Sequence, residues 1–120
     1  MIGNEDVMQM LTVNWLRQCT DLPFWHTANE RQTSAQHGLK LKKMGVLSGV
    51  SDLIFPRGNS TFKGLVLELK VKPNKPTKSQ IQFQEMMIEE VYACFICYSY
   101  DEAIQVIKAF YSSTDTKFKE

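Results

Sequence analysis

The stretch Gly45-Val46-Leu47-Ser48-Gly49-Val50-Ser51-Asp52-Leu53-Ile54-Phe55 decides how this chain is read. Two glycines bracket a short turn that delivers Asp52 onto an apolar strand. Sixteen positions after Asp52, Glu68-Leu69-Lys70 closes a second run, Gly64-Leu65-Val66-Leu67-Glu68-Leu69-Lys70. Side chains two apart on a strand share a face, so Glu68 and Lys70 point one way while Leu65, Leu67 and Leu69 point the other. If the two runs pair as a hairpin, Asp52 joins them at one end of the sheet. Two hard carboxylate ligands beside an ammonium group suit a divalent cation that activates water against a phosphodiester.

Outward from this pair, the spacing predicts alternating helices and strands. Asn4 caps a helix with Glu5 and Asp6 in its first turn, and Val7, Met8, Leu11, Trp15 and Leu16 form its apolar stripe. That stripe needs a partner, either the sheet or a second subunit. Asp21-Leu22-Pro23 ends the helix, because proline disfavours helix at the residue before it. Phe24 to Thr27 reads as a short strand, and about Arg31 to Lys43 as a helix that stops near Gly45. Asp52–Phe55 and Phe62–Val71 are strands around a turn at Pro56–Ser60. Thr77 or Ser79 caps a helix running to about Glu90, with Ile81, Phe83 or Gln84, Met87, Ile88 and Val91 as its apolar face. Val91–Tyr98 is an apolar, aromatic strand expected at the centre of the sheet. Asp101 is expected to cap a last helix with Ala103, Ile104, Ile107 and Phe110 inward, and the polar stretch from Ser112 to fray. The order α, β, α, β, β, α, β, α gives an α/β fold, a central mixed sheet of about four strands flanked by helices. The strand after the Gln80 helix returns parallel to the Glu68 strand.

The 120 residues form one domain by length, taken as residues 1–112 with a polar tail over 113–120. Hydrophobic residues make up 43% of the chain, enough for a core, and the mean hydropathy of -0.26 argues against a membrane protein. No apolar run approaches the ~18 residues of a spanning helix. The N-terminus lacks the basic and apolar pattern of a secretory signal. Three cysteines, an odd number, suggest no disulfide framework, so a reducing cytoplasmic compartment is expected. The net charge of +1 hides an uneven distribution. Between His37 and Lys78 stand nine basic residues (Lys40, Lys42, Lys43, Arg57, Lys63, Lys70, Lys72, Lys75 and Lys78) against only Asp52 and Glu68, a local +7 that leaves -6 for the remainder. A basic segment whose two acids sit at the expected cation site fits a phosphate-binding surface, and a solvated lysine-rich face is the plainer alternative.

Four elements in order, Asn29-Glu30, Gly45-Val-x-x-Gly-Val-x-Asp52, Glu68-x-Lys70 and Thr77-x-x-Gln80, resemble the virus-type replication-repair nuclease (VRR-NUC) domain, a branch of the PD-(D/E)xK nucleases. The resemblance spans roughly residues 24 to 111 and implies a restriction-endonuclease-like core. The family often has proline just before the aspartate, where this chain has Ser51. It tends to have glycine between the last helix and the next strand. Here that stretch is Glu89-Glu90-Val91-Tyr92, so the turn is expected to differ.

Asp52 is the foremost metal ligand, since a carboxylate opening an apolar strand is costly unless paired or coordinated; an exposed strand-end acid is the alternative. Glu68, inside a run of leucine and valine, either pairs with a lysine or binds the ion. The resemblance implies that it is a ligand, together with the backbone carbonyl of Leu69. Lys70 is assigned electrostatic stabilisation of phosphoryl charge first and general-base action second, against a plain surface lysine. The resemblance implies that Glu30 reaches the same cation, directly or through water, rather than merely starting a helix. Gln80, in the first turn of its helix, has an amide suited to a water, a ligand carboxylate or the scissile phosphate, or to solvent. Lys40, Lys43, Arg57, Lys72, Lys75 and Lys78 are candidate DNA contacts, and His26, which precedes Glu30, is either beside the site or a structural or DNA-contacting residue. Cys94-Phe95-Ile96-Cys97 does not form a zinc pair, because strand positions three apart face opposite sides, and these thiols are expected to pack as small hydrophobes. Trp15, Trp25, Phe62 and Tyr100 suit base stacking or core packing.

These features point to a Mg²⁺- or Mn²⁺-dependent DNA endonuclease. Small stand-alone members of the resembled family imply a homodimer acting on branched DNA, Holliday junctions or flaps, and a phage or prophage origin. The first helix is a candidate dimer surface. A non-catalytic DNA-binding module, or an interaction subunit of a replication or repair complex, is the alternative.

Overall fold

The computed structural model describes residues 4–27 and 35–119. Its elements run α1 (Asn4–Cys19), β1 (Trp25–His26), α2 (Ala35–Lys43), β2 (Leu53–Phe55), β3 (Gly64–Leu69), α3 (Lys78–Glu89), β4 (Tyr92–Cys97) and α4 (Tyr100–Phe110). The four strands form one sheet in the order β1-β2-β3-β4. β1–β2 and β2–β3 are antiparallel, and β3–β4 is parallel, as a helical crossover requires. The expected mixed sheet is therefore present, with strands two to four residues shorter than the sequence pattern suggests for β1, β3 and β4.

Alternation divides the sheet into two dissimilar faces. Leu53, Phe55, Leu65, Leu67, Leu69, Ala93 and Cys97 pack with Met8 and Leu16 of α1 and with Ala103, Ile107 and Phe110 of α4. On the other face Ile54 and Val66 meet Phe83 of α3. Every residue of β3 is buried, which places Glu68 in the interior on the α3 side.

Several expectations are corrected. β4 is an edge strand, not a central one; only Ala93 and Cys97 are buried and Phe95 is exposed. In α1 the core-facing stripe is Met8, Thr12 and Leu16, with the Thr12 hydroxyl donating to the Met8 carbonyl at 2.8 Å, while Val7 and Leu11 face outward. In α3 Phe83 is the buried residue, whereas Ile81 and Ile88 are exposed. Ser99, not Asp101, caps α4 by accepting from Glu102 N at 3.1 Å; Asp101 lies in the first turn.

The tail does not fray. Phe118 forms a β-bridge with Thr20 and stacks on Trp15 at 6.1 Å, and Lys119 N donates to Cys19 O at 2.6 Å. Asp21 closes the attachment by accepting from Lys117 N at 3.1 Å and from Arg57 at 3.0 Å, and these two donors hold its carboxyl below the usual range. The Phe118 ring, together with these backbone and side-chain bonds, anchors an otherwise polar segment.

The turn after α3 follows the path a glycine would supply. Val91 has φ 69°, the left-handed conformation in which helices commonly end. A valine here takes a conformation that glycine adopts without strain.

Candidate active site

The site is built where β2 and β3 begin and end. The register pairs Leu53 with Leu67 and Ile54 with Val66, so Asp52, one step before β2, stands opposite Glu68. Leu69 N donates to Asp52 Oδ2 at 2.7 Å. Lys70 N bonds Cys97 O on β4, so alternation turns the N–H and C=O of Leu69 toward the β2 side, where Asp52 lies.

The loop that delivers Asp52 is fixed by contact with α3. Gly45 ends α2 at φ 94°, and Val46 N reaches back to Leu41 O at 2.9 Å. Gly49 has φ 82°, and a Cβ there would lie 2.3 Å from Ser79 O and 2.8 Å from Gln80 N. The second glycine of the motif thus lets the backbone of the Asp52 loop touch the first turn of α3. That close approach is not visible as a spacing in the sequence.

Gln80 projects from the same turn. Its Oε1 accepts from Thr77 N at 2.8 Å while Thr77 Oγ1 accepts from Gln80 N at 3.3 Å, a reciprocal capping box. Its Nε2 donates to Glu68 Oε2 at 3.2 Å. Of the partners considered for this amide, the structure supplies a carboxylate. Lys70, on the same face as Glu68, has Nζ 4.0 Å from Glu68 Oε2 and is itself buried.

Glu68 is 2% exposed, and its Oε1 is buried without a hydrogen-bond partner. Burial first, and the neighbouring Asp52 charge second, push its carboxyl up to about 8, while the Lys70 ammonium pulls the other way. A buried carboxyl that resists ionisation beside a second carboxylate is what a divalent cation relieves. Among the described residues no three His, Cys, Asp or Glu side chains cluster to hold a metal. Mg²⁺ keeps several waters and commonly binds proteins through one or two carboxylates, so the Asp52 and Glu68 oxygens fit such an ion without a complete cage. Glu30 and Asn29 lie outside the described residues.

His26 does reach the site's margin. Its Nδ1 lies 2.7 Å from Asp52 O, and a carbonyl only accepts, so Nδ1 carries the proton. Lys40 and Lys43 are exposed on α2, and Lys72, Lys75 and Lys78 are exposed on the connection from β3 to the start of α3. Lys72 Nζ sits 5.8 Å from the centre of the Tyr98 ring, an aromatic neighbour the sequence pattern did not flag. Arg57 is different: it lies beyond the opposite end of β2, paired with Asp21 and donating to Thr116 Oγ1 at 3.2 Å, while its carbonyl accepts from Tyr111 at 2.7 Å. It fastens the tail and is not grouped with the site. Trp15 stacks on Phe118 and Phe62 packs at a tilt against Phe110, whereas Trp25 is half exposed. Burial raises the thiols of Cys94 to about 11 and Cys97 to about 12, which keeps both protonated and suits packing.

A solved structure described as a VRR_NUC domain protein superposes with a TM-score of 0.80 at 24% sequence identity, covering 96% of this chain and 93% of that chain. At that identity the likeness establishes the fold. Scans against protein families and curated proteins find no match.

Proposed function

We propose that this protein is a Mg²⁺- or Mn²⁺-dependent DNA endonuclease. The observation that carries the reading is the juxtaposition of partly buried Asp52 with Glu68, which is itself buried beside Lys70 and held by Gln80, on a fold shared with a VRR_NUC domain protein. Asp52 and Glu68 would hold the cation, with the Leu69 carbonyl turned to the same side; Glu30 completes the proposed set. When bound, the ion supplies a polarised phosphate and a water of lowered pKa. Lys70 places its ammonium against the charge that develops on the phosphoryl oxygens. Gln80 restrains Glu68 so that one carboxylate oxygen stays directed to the ion. His26 steadies the Asp52 backbone. Lys40, Lys43, Lys72, Lys75 and Lys78 offer phosphate contacts.

The same reading extends to branched DNA, Holliday junctions or flaps, cut by a homodimer. Exposed Val7, Met10 and Leu11 on α1 support a subunit contact there. Three free cysteines accord with a cytoplasmic setting, and no helix among the described residues is long and apolar enough to cross a membrane.

The test is metal-dependent cleavage of supercoiled plasmid and of a four-way junction. Cutting should require Mg²⁺ or Mn²⁺ and vanish in Asp52→Ala and Glu68→Ala. Full cleavage by either variant would falsify the assignment. Tight, salt-sensitive DNA binding without cutting would favour the binding-module alternative.

A further inference from the structure

Ser51, immediately before Asp52, is 0% exposed, and its Oγ has no hydrogen-bond partner. Buried polar atoms are nearly always paired, because an unmade bond forfeits the hydration that the unfolded chain enjoyed. The second buried oxygen left without a partner in the same site is Glu68 Oε1. Gln80 and Lys70 both approach the other oxygen, Oε2. Ser51 directly precedes Asp52, which stands opposite Glu68 across the β2–β3 register. One hydroxyl donor and one carboxylate acceptor, both dry and both unused, therefore adjoin the place where the cation is proposed.

A buried serine with nothing to bond is a poor structural choice, since alanine fills almost the same space without the polar cost. The hydroxyl gains a role once Glu68 presents Oε1 to a cation. A carboxylate oxygen has two lone-pair sites, so Oε1 can face the ion and still accept from Ser51. Outer donors of this kind orient metal ligands and commonly change metal affinity by ten- to a hundredfold.

We propose that Ser51 is a positioning residue of the cation site, its hydroxyl donating to Glu68 Oε1 so that this oxygen is aimed at the divalent ion. This inference rests on the metal reading above. It assigns Ser51 no contact with substrate and no part in bond breaking.

The experiment is Mn²⁺ titration without DNA, followed by the electron paramagnetic resonance of free Mn²⁺, on the full chain, Ser51→Ala and Ser51→Cys. Thermal melting in EDTA and in Mn²⁺ accompanies it. Wild type should bind Mn²⁺, and Ser51→Ala should bind about tenfold more weakly. In EDTA, Ser51→Ala should melt at or above the wild-type temperature, because an unpaired hydroxyl has been removed, and its gain from Mn²⁺ should shrink. Ser51→Cys, similar in size but a weak donor, should follow Ser51→Ala in affinity. Unchanged affinity in Ser51→Ala overturns the inference, as does a variant that melts lower in EDTA or fails to fold, since either marks a structural serine. Wild type that binds no Mn²⁺ overturns the metal reading and this inference together, which separates that failure from one confined to Ser51.

Discussion

Gln80 donates to Glu68 at 3.2 Å with the same side chain whose other end closes the cap of α3. Helix initiation and carboxylate placement are thus one event. Gln80→Glu separates them, because glutamate preserves the capping box but cannot donate to Glu68. It should keep the helix and leave cleavage at least about tenfold slower, an effect typical of lost support to a metal ligand. Circular dichroism and single-turnover cleavage check the two halves.

The raised carboxyl of Glu68 makes metal-free stability depend on pH. Its native value of about 8 exceeds the ordinary 4.5, so the folded state binds a proton that the unfolded state has released between those values. The contribution is fully present below about pH 4.5 and is lost as pH rises through about 8. The slope is at most about 1.4 kcal/mol per pH unit for one proton. Urea titrations in EDTA from pH 5 to 9 should show this decline and Glu68→Gln should flatten it. Mn²⁺ should restore stability chiefly at the alkaline end.

Val91 holds a left-handed φ of 69° while 44% exposed, so the valine contributes little burial to offset its strain. Val91→Gly should raise stability by about 1 kcal/mol, the left-handed penalty less part of the entropic cost of glycine. A denaturant midpoint at or below wild type would sink this expectation.

Arg57 and the loop lysines should part company in solution. Arg57→Ala should free the Lys117 and Lys119 amides to hydrogen exchange and leave the salt dependence of DNA binding unchanged. Replacing Lys72, Lys75 and Lys78 together by alanine should lower that log–log slope by up to about 3, one for each phosphate that is no longer neutralised.

How far the sequence carries can be judged from these residues. That Asp52 joins Glu68 and Lys70 at one end of the sheet is legible because a two-residue period fixes the face and a hairpin brings the two runs together; the register itself, across the connection from Phe55 to Gly64, is not. The Thr77–Gln80 cap was legible because its residue types are specific. β4 was misplaced because β-branched and aromatic composition describes a strand and not its neighbours; Phe95 reads as core yet stands at an edge. The tail was misread because one docked Phe118 disappears in a polar average. Arg57 enters the DNA-contact candidates through a tally of charges, which cannot show its pairing with Asp21. The left-handed Val91 had no residue signal, since backbone conformation there is imposed by the helix end and the Lys63 N bond to Val91 O at 2.8 Å.

At Gly49 and Ser79, main chain lies against main chain with no room for even a methyl group between. A side chain at position 49 would wedge the segment leading into Asp52 away from the turn that carries Gln80. The absence of a single carbon atom there is thus what allows the two halves of the proposed ion site to approach.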